Sequence, residues 1–262
     1  MIRRTGLIAC AALGWCPVFA WAQRPSDADT AALIEKSRQK ALDYTQSLPD
    51  FLCSEIIQRF AAPAVDGTKA GGWTHTDTLR VTVSYSQGSE GHKLELINGK
   101  ATGKKFEELG GETSSGEFGG ILRTVFDPAS QAAFDWESSK TVHGRRMAVY
   151  QYAISAANSP FYLRNNNRKG IVGLHGTVEV DAETGEVGRL TYIAYDIPKG
   201  LEVQASSATV EYGLASVAGR NYLLPAHSEG EMHSSEMWAR SKMDFRDYRK
   251  FTADSTITFG GK

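Results

Sequence analysis

From residue 51 onward the sequence is a succession of short strand-like segments separated by tight turns. Residues 78–85 alternate strictly between apolar and polar side chains, which is typical of a half-buried strand. Asn98-Gly99 is a strong hairpin signal, and residues 183–186 form another turn signal. The segments follow one another at about ten to fifteen residues with no long helix pattern between them. This spacing predicts an antiparallel meander over residues 51–259.

One helical pattern precedes the meander. Apolar residues recur at three- and four-residue steps over residues 27–47, Ser26 precedes them, and Pro49 ends the pattern. The predicted fold class is therefore α+β, a large curved antiparallel β-sheet (an unclosed half-barrel) with an N-terminal amphipathic helix packed on it. No domain boundary is visible after the helix, so residues 23–262 are expected to form a single half-barrel domain.

The first 22 residues have the pattern of a secretory signal peptide. Two arginines precede an apolar run, and Ala20-Trp21-Ala22 is a small-x-small cleavage site. We expect cleavage after Ala22 and a periplasmic or secreted mature chain. Lipid attachment at Cys10 or Cys16 is the less favoured alternative, because neither cysteine has both a suitable preceding residue and a full apolar run.

Removal of this signal peptide changes the net charge and the number of cysteines. The net charge moves from −1 to −3 because two arginines leave, and Cys53 becomes the one remaining cysteine. A near-neutral to acidic chain has no global field for nucleic acid, so no nucleic-acid partner is expected. Cys53 lies in an apolar strand segment, which favours a buried thiol over a reactive one. No further apolar run approaches the length of a membrane span.

Catalytic motifs give no lead. The sequence contains no Gly-x-Ser-x-Gly, no phosphate loop and no His-Glu-x-x-His, and no cofactor is expected. The weak metal candidates are His227, Glu229 and His233, which share one face of a strand. In a straight strand they span about 20 Å, too far for one ion without a bend. The competing interpretation is a solvated face whose acids pair with cations of the next strand.

The aromatic residues are the more informative candidates. Several strands carry apolar side chains on both faces, and one helix is too narrow to cover about ten strands. The sequence leaves two alternatives open, an uncovered apolar surface that takes a guest and a sheet that fills itself with side chains. The candidate ligand-binding residues are the large aromatics on strands, namely Trp136, Tyr150, Tyr152, Tyr192 and Trp238.

Two irregular stretches interrupt the strand pattern. Residues 103–120 are polar and glycine-rich, and we expect a mobile loop over the sheet, with a short helix over residues 117–126. Residues 156–170 are expected to be irregular and contain a basic run, residues 164–169. That run suits either a solvated loop or contact with an anionic partner.

Three segments carry a family resemblance. Residues 178–190, with Asp181, Thr184 and Gly185 at the turn, resemble a hairpin common in the periplasmic lipoprotein-carrier-like half-barrel superfamily (LolA/LolB/RseB-like). Residues 217–225 and 244–251 resemble the strands that follow. The resemblance implies an unclosed barrel whose hydrophobic inner surface binds acyl chains, lipid or a lipoprotein partner. The chain looks closest to uncharacterised secreted bacterial members of that group.

The function expected from these observations is that of an exported non-enzymatic binding or carrier protein. Its ligand is expected to be apolar, lipid-like or a lipoprotein, held on the concave face of the half-barrel. One alternative is an envelope protein–protein interaction or sensor module without a ligand. The other, less favoured, is a metal-dependent hydrolase. The expected partner is thus an apolar ligand or an envelope protein, with no transmembrane segment in the mature chain.

Overall fold

A computed structural model describes residues 24–65, 69–109, 116–165 and 168–251 of the 262-residue chain. The predicted signal peptide lies outside the described residues. The helices are α1 (Asp27–Ser47) and α2 (Gly120–Phe126), and short 3-10 turns span Phe106–Glu108 and Pro128–Ser130. The strands are β1 (Phe51–Val65), β2 (Lys69–Ala70), β3 (Thr74–Ser86), β4 (Ser89–Ile97), β5 (Lys100–Ala101), β6 (Ala133–Val142), β7 (Arg145–Ile154), β8 (Tyr162–Asn165), β9 (Arg168–Ile171), β10 (Gly173–Asp181), β11 (Val187–Tyr195), β12 (Ala205–Val217), β13 (Arg220–His233) and β14 (Met237–Lys250).

Within the described part of the chain, one antiparallel sheet contains all strands except the β8–β9 hairpin. Its order is β5-β4-β3-β1-β14-β13-β12-β11-β10-β7-β6, with β2 beside the end of β1. The path runs from β5 to β6 and does not return on itself, so the sheet is unclosed. The predicted α+β class, with one N-terminal helix on a large antiparallel sheet, is confirmed.

Helix α1 begins and ends where the sequence predicts. The Ser26 side chain accepts the Asp29 backbone N–H at 3.1 Å, which satisfies one of the donors left free at a helix start. The helix ends at Ser47, and Leu48 has an extended backbone, as expected of a residue that precedes a proline. Ile34 and Ala41 are buried against the sheet, so the helix packs through one face.

Two apolar clusters lie on the inner face of the sheet, which we define as the face that α1 and α2 cover. The first, the helix-covered cluster, joins both helices to β7, β10, β11 and β12. Its buried members on these elements are Ile34, Ala41, Ile121, Leu122, Val125, Phe126, Ala148, Tyr150, Tyr152, Ile154, Leu174, Val178, Val180, Val187, Leu190, Ala194, Val210 and Tyr212. The Arg38 guanidinium donates to the Phe126 carbonyl at 2.7 Å and ties α1 to α2.

The second, the aromatic cluster, lies on β1, β3, β4 and β14. Its buried members on these strands are Phe51, Cys53, Ile57, Leu79, Val81, Val83, Tyr85, Leu94, Met243 and Phe245. Its cover is formed by Phe106 and Phe118, which precede α2 in the chain and do not belong to either α-helix. Apolar side chains therefore fill the inner face at these two clusters.

The turn after β10 shows why the hairpin signal in the sequence works. The Asp181 carboxylate accepts the backbone N–H groups of Glu183 and Thr184 at 2.9 and 2.7 Å. Gly185 takes a φ of 78°, which a residue with a side chain rarely adopts. The Lys36 ammonium of α1 donates to the Glu183 carbonyl, so the turn also anchors the helix.

Some boundaries differ from the sequence expectations. β1 is longer than the short strand segments expected of the meander and continues to Val65, because its end pairs with β14 and β2. α2 begins only at Gly120. The expected irregular stretch 156–170 contains most of the β8–β9 hairpin. This hairpin lacks apolar alternation because it lies off the main sheet, and the Lys169 ammonium lies 3.6 Å from the centre of the Tyr162 ring.

We predict that Ile57→Ala lowers the free energy of unfolding by about 2–5 kcal/mol, because it leaves a cavity in the aromatic cluster. Ile57 is 1% exposed, whereas Val65 on the same strand is 47% exposed. The control Val65→Ala should therefore change the stability by about 0.5 kcal/mol or less. Urea denaturation measures both values, and equal losses would contradict the burial of β1 described here.

Candidate functional site

The candidate site lies where a short covering segment, residues 116–126, crosses the aromatic cluster. Gly116 and Gly119 take φ values of 103° and 118°, in the region that favours glycine. These two glycines turn the chain on either side of the inward-facing Phe118. α2 follows directly and packs into the helix-covered cluster.

Phe118 is 1% exposed and occupies an aromatic cage built by β1, β3 and β14. The cage residues are Phe51, Tyr85, Phe245 and Tyr248. Their ring centroids lie 5.3, 6.3, 5.4 and 6.4 Å from that of Phe118. Aromatic pairs at such distances contribute about 0.5–1.5 kcal/mol each beyond the burial of their area. A side chain of the covering segment thus occupies a cage whose walls are formed entirely by strand residues.

Strand register brings the cage together from distant parts of the sequence. Phe51 lies directly opposite Tyr85 in the β1–β3 ladder, and their rings stack at 5.2 Å. Tyr248 comes from the other neighbour of β1, and its ring lies 5.5 Å from that of Phe51. The Tyr248 hydroxyl donates to the Pro225 carbonyl at 2.6 Å, which fixes the ring. The cage therefore depends on the pairing of β1 with both β3 and β14.

Three acidic residues lie beside this cage, and we call Glu55, Glu90 and Glu117 the carboxyl cluster. Glu55 and Glu117 are 2% and 4% exposed. The Glu90 carboxylate accepts the Gly116 backbone N–H at 3.1 Å and also accepts the N–H of Phe118. It therefore holds the covering segment at the residue that fills the cage.

Burial controls the ionisation of the carboxyl cluster. Loss of solvation, followed by the negative charge of Glu117, raises the pKa of Glu90 to about 7. Burial raises the pKa of Glu55 well above its usual range, and the neighbouring Glu117 and Glu90 add to this shift. Carboxyls that lie this close cannot all ionise without strong mutual repulsion, so they titrate as a group.

Two tyrosines extend the carboxyl cluster toward α1. The Tyr212 hydroxyl donates to the Glu117 carbonyl at 3.2 Å, and the Tyr44 ring packs edge-on against Tyr212 at 6.1 Å. The Tyr44 hydroxyl and the Glu55 Oε2 atom are buried and have no hydrogen-bond partner among the described residues. A buried polar atom without a partner costs about 1–3 kcal/mol. Such atoms cluster where a protein uses them for binding or chemistry.

Cys53 borders the same region and is fully buried. Burial, together with the nearby Glu55, raises the pKa of its thiol far above the usual range. A thiol held in its neutral form is a poor nucleophile. This position agrees with the buried alternative expected from the sequence.

The predicted ligand-binding aromatics lie mainly in the helix-covered cluster. Tyr150 and Tyr152 are 1% and 3% exposed and are packed under the helices. Trp136 and Tyr192 pack at the edge of the same cluster. Trp238 lies outside both clusters and stacks on a neighbouring histidine ring at 4.1 Å. The structure thus brings four of the five together, on the half of the inner face away from the Phe118 cage.

The weak metal candidates are dispersed along β13. His227 is paired with Asp244, and Glu229 forms ion pairs with Arg240 and Lys242. His233 is buried and is the histidine that stacks on Trp238. Across residues 24–65, 69–109, 116–165 and 168–251, no group of three or more His, Cys, Asp or Glu could hold a metal ion. Ion pairs with β14 therefore account for the acidic side chain of Glu229.

Two grooves lie outside the Phe118 cage. One has a volume of about 720 Å³ and is lined by charged side chains that include Arg189, Glu211 and Lys242. The other, of about 700 Å³, is bordered mainly by the loop that follows β11, including Asp196 and Lys199. Both grooves mix polar and apolar side chains, and Tyr192, one of the predicted ligand-binding residues, borders the first.

Sequence reasoning missed the carboxyl cluster and Phe118. One signal was available, because Glu55 occupies an inward position in the alternation Phe51, Cys53, Glu55, Ile57. A carboxyl at a core position of a strand is uncommon unless it has a partner or a role. Glu90 and Glu117 lie in turn-rich segments, where acidic residues are ordinary and give no signal.

We predict that the protein loses stability as the pH rises from about 4.5 to about 7, the unfolded and folded pKa values of Glu90. In that window the folded chain holds the proton and the unfolded chain has released it, so a higher pH favours unfolding. The loss should be about 1–3 kcal/mol, and Glu90→Gln should reduce it while keeping an acceptor for Gly116. Urea denaturation across this range measures the effect.

The matched control is Glu211→Gln on the outer face, where the glutamate side chain is 47% exposed. This variant should lose stability with pH as the wild type does. A pH profile of Glu90→Gln indistinguishable from that of the wild type would show that Glu90 titrates normally.

No protein-family model and no curated protein matches the chain. Among solved structures, it is similar to a LolA superfamily protein from Nitrosomonas europaea, at 10% identity and a TM-score of 0.39, covering 85% of this chain and 93% of the other. It is also similar to a putative outer membrane lipoprotein-sorting protein domain from Vibrio parahaemolyticus, at 11% identity and a TM-score of 0.36, covering 84% of this chain and 92% of the other. A DUF1329 family protein from Desulfovibrio piger is similar at 9% identity and a TM-score of 0.39, covering 88% of this chain and 96% of the other. The group that the sequence resembles is thus found among these matches. With TM-scores below 0.5 they carry no functional weight, and the fold assignment rests on the sheet itself.

Proposed function

We propose that the protein is an exported, non-enzymatic binding or carrier protein of the cell envelope that holds an apolar, lipid-like guest on the inner face of its sheet. The observation that carries this proposal is the Phe118 cage. A side chain from a short covering segment fills an aromatic box that the strands complete without it. In the loaded state, part of the guest takes the place of Phe118 between these rings.

The covering segment has features suited to exchange with a guest. α2 has seven residues, too few to be stable without its packing against the sheet. Positive-φ glycines lie on either side of Phe118, so the backbone there can take conformations that other residues disfavour. Displacement of Phe118 uncovers apolar surface of the aromatic cluster without breaking a strand pair.

The helix-covered cluster provides the continuation of this apolar surface. Tyr150, Tyr152, Trp136 and Tyr192 remain our proposed lining for the far part of a long guest, which reaches them if α2 moves with the segment. Trp238, which belongs to neither cluster, remains a predicted ligand-binding residue. No helix among the described residues is long and apolar enough to cross a membrane.

One observation favours the alternative of an interaction module. Strand β6 ends the sheet, so one of its edges has no strand partner in the described structure. Such an edge can accept a strand from another protein. Recovery of a stoichiometric envelope protein and no lipid from the purified protein would favour this alternative over the carrier.

We predict that Phe118→Ala binds the neutral apolar dye N-phenyl-1-naphthylamine several-fold more tightly than the wild type, because the cage is then vacant. The dye's fluorescence increase measures binding. The matched control is Phe60→Ala, which removes a half-buried phenylalanine that packs against His75 and belongs to neither cluster. This control should leave dye affinity near the wild-type value.

Solvent extraction of the purified wild type followed by mass spectrometry provides a second measurement, with a lipid-like guest expected. The carrier proposal fails if no guest is extracted and neither the wild type nor Phe118→Ala binds the dye. A folded Phe118→Ala protein, checked by circular dichroism, makes that negative result decisive.

A further inference from the structure

An apolar guest alone does not explain why acidic groups lie beside the cage. We propose that the carboxyl cluster binds the polar end of the guest and that this end is a protonated amine, so that the guest is a cationic amphiphile. This inference rests on the proposed function, because it concerns the same site. It adds the chemical class of the guest's head group.

Glu90 connects the carboxyl cluster to the cage. Its carboxylate bonds the backbone of both Gly116 and Phe118. Glu90 also lies directly opposite Tyr85, one of the four cage residues, in the β3–β4 ladder. A guest whose apolar part replaces Phe118 between the rings therefore places its end within reach of Glu90.

Two buried oxygen atoms of this region, on Glu55 and Tyr44, have no hydrogen-bond partner among the described residues. Glu55 is 2% exposed, and its Oε2 atom has no hydrogen-bond partner in the described structure. The buried Tyr44 hydroxyl is likewise without a partner in that part of the chain, and its electrostatic neighbours include Tyr212, Tyr85 and Glu90. An ammonium group has three donors and no acceptor, so it matches carboxylate and hydroxyl oxygens that lack a donor.

The negative charge of the carboxyl cluster favours one kind of head group over the others. The guest's head group meets three carboxyls, and every ionised one favours a cation and repels an anion. A fatty-acid carboxylate or a lipid phosphate would add another negative charge to this buried site, with little solvent to screen it. The cluster therefore discriminates against anionic amphiphiles, while a neutral alcohol lies between the two.

The groups around the carboxyl cluster do not cancel this preference. Tyr44 faces it from α1, Tyr85 from β3, Tyr212 from β12 and Tyr248 from β14, and their phenols are neutral at physiological pH because burial raises their pKa. Cys53 on β1 is neutral for the same reason. Among the described residues, Arg123 lowers the pKa of Tyr85 and Arg249 lowers that of Cys53. Neither arginine is among the groups that shift Glu55 or Glu90.

The test compares three probes with the same twelve-carbon tail, dodecylamine, dodecanol and dodecanoate. Each displaces N-phenyl-1-naphthylamine from the full chain at about pH 8, where an alkylamine is protonated and the Glu90 pKa is exceeded. We expect dodecylamine to bind about tenfold more tightly than dodecanol, and dodecanoate to bind most weakly. The affinity for dodecylamine should fall when the pH is lowered below the Glu90 pKa of about 7.

Variants separate the carboxyl cluster from the cage. Glu55→Gln and, independently, Glu90→Gln should remove the advantage of dodecylamine over dodecanol while leaving dodecanol affinity in place. Glu211→Gln, on the outer face, should retain the full advantage. Circular dichroism establishes that each variant is folded, and the two inner variants provide independent readings.

The outcomes distinguish this inference from the function on which it rests. Equal affinities for dodecylamine and dodecanol, tightest binding of dodecanoate, or an amine preference that survives both inner variants would overturn the head-group assignment and leave the carrier function intact. Failure of all three probes to displace the dye, or of the dye to bind, would overturn the carrier function itself.

Discussion

The first strand of the sheet pairs with the last strand along nearly its whole length. β1 and β14 run antiparallel from Phe51 opposite Lys250 to Pro63 opposite Met237. Without this ladder the strands would form two separate sheets, one of β1 to β5 and one of β6, β7 and β10 to β14, each with one more open edge. β1 and β14 also carry Glu55 and three of the four cage residues. The pairing of these two strands therefore completes the sheet and also assembles the candidate site. Pairings so distant in sequence form slowly, after local hairpins.

The candidate site combines two opposed tendencies in one small volume. Aromatic rings from three strands exclude water around Phe118, while the adjacent acids need water or a partner to ionise. The fold resolves this conflict by raising the pKa values of Glu55 and Glu90, so that the cluster is largely neutral at mildly acidic pH. Backbone N–H groups at Gly116 and Phe118 satisfy part of what remains. The covering segment is thus fixed by polar contacts at its start and by apolar packing along α2.

Local patterns were sufficient to predict α1, the antiparallel class and the Asp181 turn, because each depends on residues close in sequence. The order of the strands was not predictable in the same way, since the register of Phe51 with Tyr85 and with Lys250 follows from global packing. The five aromatic candidates were selected for size and strand position, which identified part of the helix-covered cluster but not the cage. Residues 103–120 were expected to form a mobile loop because they are polar, yet Phe118 anchors the described end of that stretch in the core. A single apolar side chain in a glycine-rich stretch gives little periodic signal.

In the carrier function that we propose, Phe118 also determines what kind of affinity the protein has for its guest. Because this side chain is covalently tethered, it competes with any guest at a high and constant effective concentration, independent of how much protein is present. Guest binding is therefore an exchange of one apolar occupant for another, and its net free energy is a difference between two similar terms. Under this proposal, guest affinity is moderate and release is not opposed by an empty apolar space, because Phe118 rather than water refills the cage.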